Sequence, residues 1–186
     1  MEFTLLYQGP LKSKGDATHK HELRTIFHSQ LKMLWQQKPL NAYPEFLKPD
    51  PPKGKLSILR KVGRYTFAPL VCEALKLVAE INIACLLPEA PGSLISQGGD
   101  IDNRLKTLLD ALRMPKVEAE IPEPKPKKSK FDVNPFFCVL EDDALITKVS
   151  VDTERLLQSV SSKHVHLLVR VRTKIVEGTW FNIAIG

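Results

Sequence analysis

The clearest pattern in the chain is an alternation. From Leu77 to Leu87, Leu77, Ala79, Ile81, Ile83, Cys85 and Leu87 fall on one side, with Glu80 and Asn82 on the other. A period of two over this length predicts a half-buried β-strand. The same period returns from His164 to Lys174, with Val165, Leu167, Val169 and Val171 opposite Arg170 and Arg172. Shorter strands are expected at Phe3 to Tyr7, Phe136 to Leu140 and Leu145 to Val151. Arg64 to Phe67 reads as a strand that Pro69 stops, and Trp180 to Ile185 as an edge strand. Asp152 to Ser161 reads as a helical turn and loop.

Two segments switch to the helical period. From about Thr18 to Gln37, with Asp16 or Thr18 as cap, Leu23, Ile26, Phe27, Leu31, Leu34 and Trp35 form an apolar stripe. Opposite them Lys20, Arg24, His28 and Lys32 recur every four residues. Such a basic ridge is either a solvated surface or a contact for a nucleic-acid backbone. From about Asp102 to Arg113, Leu105, Leu108, Leu109 and Leu112 mark a second stripe, while Asp102, Lys106 and Asp110 follow another face. Pro39 to Lys55 is proline-rich loop. Residues 114–135 include Pro122-Glu-Pro-Lys-Pro-Lys-Lys-Ser-Lys130, show no period, and read as a mobile insertion. The expected fold is α+β, a small mixed sheet with two main helices at about 18–37 and 102–113, in a single domain spanning 1–186.

Composition narrows the setting. With 186 residues and 43% hydrophobic content, the chain can fill one core. It has no apolar run long enough to span a membrane and no secretory opening, so a soluble, cytoplasmic protein is expected. Cys72, Cys85 and Cys138 lack metal-type spacing and read as reduced core thiols. The net charge of +6 tilts the choice of partner toward a polyanion. His164-x-His166 lacks a third ligand at zinc spacing. There is no dinucleotide, Walker or nucleophile-elbow motif.

The candidate chemistry lies in Gly98-Gly-Asp-Ile-Asp-Asn-Arg-Leu-Lys106, together with the later acids Glu141-Asp142-Asp143. Asp100 and Asp102, at a helix mouth opened by two glycines, can converge on one hard cation such as Mg²⁺. Capping by Asp102 or Asn103, with Asp100 in a turn, is the plain alternative. An EF-hand fails because Arg104 and Leu105 occupy the positions of a ligand and the glycine. A haloacid-dehalogenase-type phosphatase fails because Ser96 to Gly99 separates the acids from any strand.

The run Asp100-Ile-Asp102-Asn103-x-x-Lys106-x-x-x-Asp110-Ala111-Leu112, followed by Asp142-Asp143 and an apolar strand, resembles the RusA family of Holliday junction resolvases. The resemblance covers about Asp100 to Val151. It implies a small α+β homodimer that resolves four-way DNA junctions in recombination and repair by Mg²⁺-dependent phosphodiester hydrolysis, with Mn²⁺ as a substitute. By the same resemblance Asp100, Asp102 and Asp143 are the catalytic acids and metal ligands, with Asp142 assisting, and Lys106 is the essential lysine. Asn103, Asp110 and Glu141 are supporting residues. Lys20, Arg24 and Lys32 on the first helix, and Lys127 and Lys128 in the insertion, are the candidate DNA contacts. The insertion is longer than the family turn, and the N-terminal half carries no family signature. Two alternatives stand beside a resolvase: a catalytically silent nucleic-acid-binding module, and a metal nuclease acting on flaps or forks.

Overall fold

The protein is described by a computed structural model covering residues 1–88, 100–122, 134–157 and 164–186. The fold is α+β. Strands β1 (Glu2–Pro10), β2 (Arg60–Val62), β3 (Tyr65–Val71), β4 (Leu77–Leu87), β5 (Phe136–Leu140), β6 (Ile146–Arg155) and β7 (His164–Ile175) surround helices α1 (Ala17–Trp35) and α2 (Asp100–Leu112). They form two sheets in place of the single one expected: β1-β7-β4-β6 and β2-β3-β5.

In the larger sheet β4 pairs antiparallel with β7 and parallel with β6, while β1 pairs antiparallel with β7. The odd residues of β4 and Val165, Leu167, Val169 and Val171 of β7 are buried on one face, as their alternation predicts. Both helices pack on that face and run side by side. Gly15 meets Thr107, Lys20 meets Asp110, and Arg24 meets Arg113. One core joins Leu23, Phe27 and Leu31 of α1 to Leu108 and Leu112 of α2 and to both sheets.

Helix α1 opens at Asp16, whose carboxylate accepts from the His19 N–H at 2.8 Å, closing one of the orphan donors of the first turn. It also guards two strand edges. The Gln30 amide group bonds both Leu6 N–H and Leu6 C=O on β1. His28 Nδ1 accepts from Phe137 N–H on β5 at 2.8 Å. Unpaired edge groups invite strand addition, and both contacts remove that template.

Several expectations are corrected. Pro69 does not stop β3: β2 pairs only as far as Phe67, and Pro69 continues opposite Cys138 of β5. Asp152 to Arg155 extend β6 as strand, held against Ala84 to Leu87 of β4. Trp180 to Ile185 form turns, not a strand, closed by buried Asn182 bonding the carbonyls of Leu75 and Glu177. Ile26 points outward. Of the expected mobile insertion, 114–122 is anchored at its end by Ile121, buried beside Val62 and Phe136, with Lys116 to Ala119 exposed; 123–133 lie outside the described residues. The three cysteines are buried thiols outside any disulfide, and burial pushes the Cys138 thiol up to about 12.

Candidate functional site

Helix α2 carries the Asp-x-Asp motif in its first turn. Leu108, Ala111 and Leu112 are buried, and Leu105 and Leu109 half-buried, so the apolar stripe faces the core as predicted. This packing turns Asp102, Asn103 and Lys106 outward, all exposed. Among the described residues neither Asp102 nor Lys106 forms an ion pair. The Asp100 side chain and Lys127 and Lys128 lie outside what is described.

The mouth of α2 stands over the far end of β4. Ile101 and Leu108 line a small cavity with Ile83, Cys85, Val151 and Leu167. The β1–α1 loop folds onto the same turns. Arg104 Nη1 donates to Leu11 C=O at 2.9 Å, and Gly15 N–H donates to Thr107 Oγ1 at 3.1 Å.

The second acidic run lies elsewhere. Met114 N–H, just past the other end of α2, bonds Leu140 C=O at 2.9 Å. At a rise of about 1.5 Å per residue, Asp102 lies roughly 18 Å along the axis from Met114. The strand gives a second measure. Asp102 neighbours Ile101, which shares the cavity with Val151, whereas Asp143 precedes Ile146 at the opposite end of β6. The five steps along the strand from Ile146 to Val151 span roughly 16 Å. Within one chain, then, Asp102 and Asp143 do not meet, and the expected single centre of Asp100, Asp102 and Asp143 is not assembled. Among the described residues no group of three His, Cys, Asp or Glu side chains is placed to hold a metal ion.

Asp142 and Asp143 instead share a lysine that no periodicity in the sequence marks. Lys116 Nζ lies 2.8 Å from Asp142 and 3.3 Å from Asp143. Its hydrogen bond, with that from Ala144 N–H, holds the Asp142 carboxyl down to about 2, and the two acids in turn raise the Lys116 ammonium. The one signal for it in the sequence is a lone lysine shortly after the helix end. Glu141 belongs to the scaffold. It pairs with Arg60 and accepts from Glu73 N–H at 2.9 Å, fastening β5 to the turn before β4.

The expected basic ridge dissolves. Arg24 is only 2% exposed and His28 5%. Arg24 donates to the carbonyls of Asp110 and Arg113, the free acceptors at the end of α2. Lys20 is engaged by Asp110 at 2.6 Å. Asp110 also holds Arg113 at 3.2 Å, which places its supporting role between the helices and away from Asp102. Of the ridge only Lys32 stays exposed without an ion pair among the described residues.

Comparison with protein-family models, curated proteins and solved structures gives no match for this chain.

Proposed function

We propose that the chain is a Mg²⁺-dependent endonuclease acting on branched DNA, four-way junctions foremost, in the manner of the RusA family it resembles. One observation carries this reading. Asp102 and Lys106 stand exposed on one face of α2, while the opposite stripe of the same helix is buried. A motif kept only for capping or packing would engage these side chains; here both are exposed, and among the described residues neither forms an ion pair. The charge of +6 suits a polyanionic substrate.

The donor chemistry fits Mg²⁺, a hard cation that takes one or two carboxylates and substrate phosphate oxygen. Asp102, with Asp100 beside it in sequence, would hold the ion at the mouth of α2. Bound there, Mg²⁺ supplies Lewis-acid polarisation of the phosphate and a water of lowered pKa. Lys106, one turn on, offsets negative charge as it develops on the phosphate. Asn103 orients the mouth. The proposed homodimer presents two such sites, one for each of two strands cut.

A second reading, a catalytically silent DNA-binding module, is favoured by the separation of Asp102 from Asp143. Cleavage of a labelled four-way junction, beside a flap, a fork and a plain duplex, with and without Mg²⁺, decides between them. Mg²⁺-dependent cuts in the junction, lost in Asp102→Asn, support the resolvase. Binding with no cleavage supports the silent module, and preferred cutting of the flap or fork moves the substrate.

A further inference from the structure

We infer that the β1–α1 loop, through Lys12 and Lys14, is a contact surface for the DNA phosphate backbone beside the candidate site. The inference rests on the proposed function and names residues that the motif does not contain.

The loop is built onto α2. Arg104 holds Leu11 C=O, Thr107 Oγ1 accepts from Gly15 N–H, and Lys12 N–H donates to His19 Nε2 at 3.3 Å. Gly15 sits so close to α2 that a Cβ there would meet Thr107 Cγ2 at 2.5 Å. Glycine thus permits the closure, and the two lysines before it direct their charges outward. Lys12 and Lys14 are exposed, and among the described residues neither forms an ion pair. Asp16, the α1 cap, lies close enough to attract Lys12 but forms no ion pair with it, and Glu22 lies by His19.

Together these contacts hold the lysine-bearing loop against Arg104 and Thr107, in the turn of α2 that also carries Lys106. Lysines on an ordered loop lose less freedom on binding than those on a mobile one. They engage phosphates without reading sequence and release counterions as they do so. The arrangement replaces the α1 ridge, where Arg24 is buried and Lys20 is engaged by Asp110.

The test compares wild type, the double variant Lys12→Gln/Lys14→Gln, Gly15→Val, and a control, Lys48→Gln/Lys53→Gln, in the loop before β2. Binding to a four-way junction is titrated over a range of salt, with melting curves to confirm folding. Each lost phosphate contact lowers the log–log salt slope by about 0.9, so the double variant should lose close to 2 and bind roughly ten-fold more weakly at moderate salt. Gly15→Val should weaken binding with every charge retained, and the control should match wild type. An unchanged slope in a folded double variant, with wild type binding normally, overturns the inference and leaves the proposed function standing. Failure of wild type to bind DNA at all overturns that function and the inference with it.

Discussion

Lys20 and Asp110 meet across the two helices, Nζ to Oδ2, at 2.6 Å. Asp110 therefore works between α1 and α2 rather than in the acid set it follows in sequence. On its other side it holds Arg113, whose own carbonyl accepts from buried Arg24. Four side chains from the two helices and their ends form one charged seam at the end of α2 away from Asp102.

Removing the acid leaves two cations facing each other in a largely closed space. Asp110→Asn should destabilise the fold by about 3 kcal/mol, measured by urea unfolding, as breaking buried pairs does. Lys20→Met should cost less, because the Lys20 side chain is 29% exposed. Burial alone would raise the Asp110 carboxyl, but Lys20 and Arg113 hold it below the ordinary value. A carboxyl lowered on folding stabilises above its unfolded pKa. That contribution is lost as pH falls below the carboxylate range through the lower, folded value. The acid arm of the stability profile should flatten in Asp110→Asn.

A histidine shapes the profile at higher pH. Burial, with Arg24 beside it, pushes His21 down to about 4. The unfolded chain takes up this proton near pH 6.5, whereas the folded chain refuses it until about 4, so stability falls as pH drops through that window. His21→Leu should remove roughly 2–3 kcal/mol of that pH dependence, at about 1.4 kcal/mol per unit. Urea midpoints between pH 7 and 4 check this. Equal slopes in wild type and variant would show that the folded chain takes up the His21 proton as readily as the unfolded one.

The strands and the helix pair were legible because their burial is periodic. β4 matches its expected bounds at Leu77 and Leu87, and β5 at Phe136 and Leu140, since local alternation or a short apolar run determines both. What escaped was decided by partners distant in sequence. Arg24 is buried to serve the free carbonyls at the end of α2, and His28 to close the edge of β5. Neither need shows in the spacing of α1, which reads as a basic ridge. Pro69 survives in β3 because β2 is too short to pair with it. In the site, the exposure of Asp102 and Lys106 followed from the leucine stripe of α2. The capture of Asp142 and Asp143 by Lys116 depended on where the chain turns after α2, in a stretch without any period.

That capture is testable. Lys116 Nζ occupies the space between two carboxylates that a cation would contest. Lys116→Ala should leave the melting temperature unchanged and tighten Mn²⁺ binding several-fold in calorimetry, because no ammonium remains to be displaced. Asp143→Asn made on the Lys116→Ala background should reverse the gain. If Mn²⁺ binding is identical in wild type and Lys116→Ala, the pair does not compete for the ion.

The last prediction separates the two ends of α2. Asp102 sits in the first turn of α2 and Asp143 beyond its far end, and the rise of the helix from Asp102 to Met114, on the order of 18 Å, is far beyond the reach of one coordination shell. If the reaction belongs to the mouth of α2, Asp102→Asn should abolish Mg²⁺-dependent cleavage while junction binding persists or tightens, since a ligand charge is lost and no phosphate contact is. Lys106→Ala should lower turnover on the order of 10²-fold, as losing one electrostatic donor does, with little change in affinity. Asp143→Asn, at the far end, should then keep most of the wild-type rate. Single-turnover rates and binding isotherms for the three variants, measured on one junction, decide the matter. Should Asp143→Asn be as dead as Asp102→Asn, both acid sets act on one phosphate, and the active form brings them together through a second subunit or a rearrangement of α2. Light scattering of the wild-type complex with the junction distinguishes those two, because only the first requires a dimer for every cut. Should all three variants cut at the wild-type rate, the active site is not on this helix.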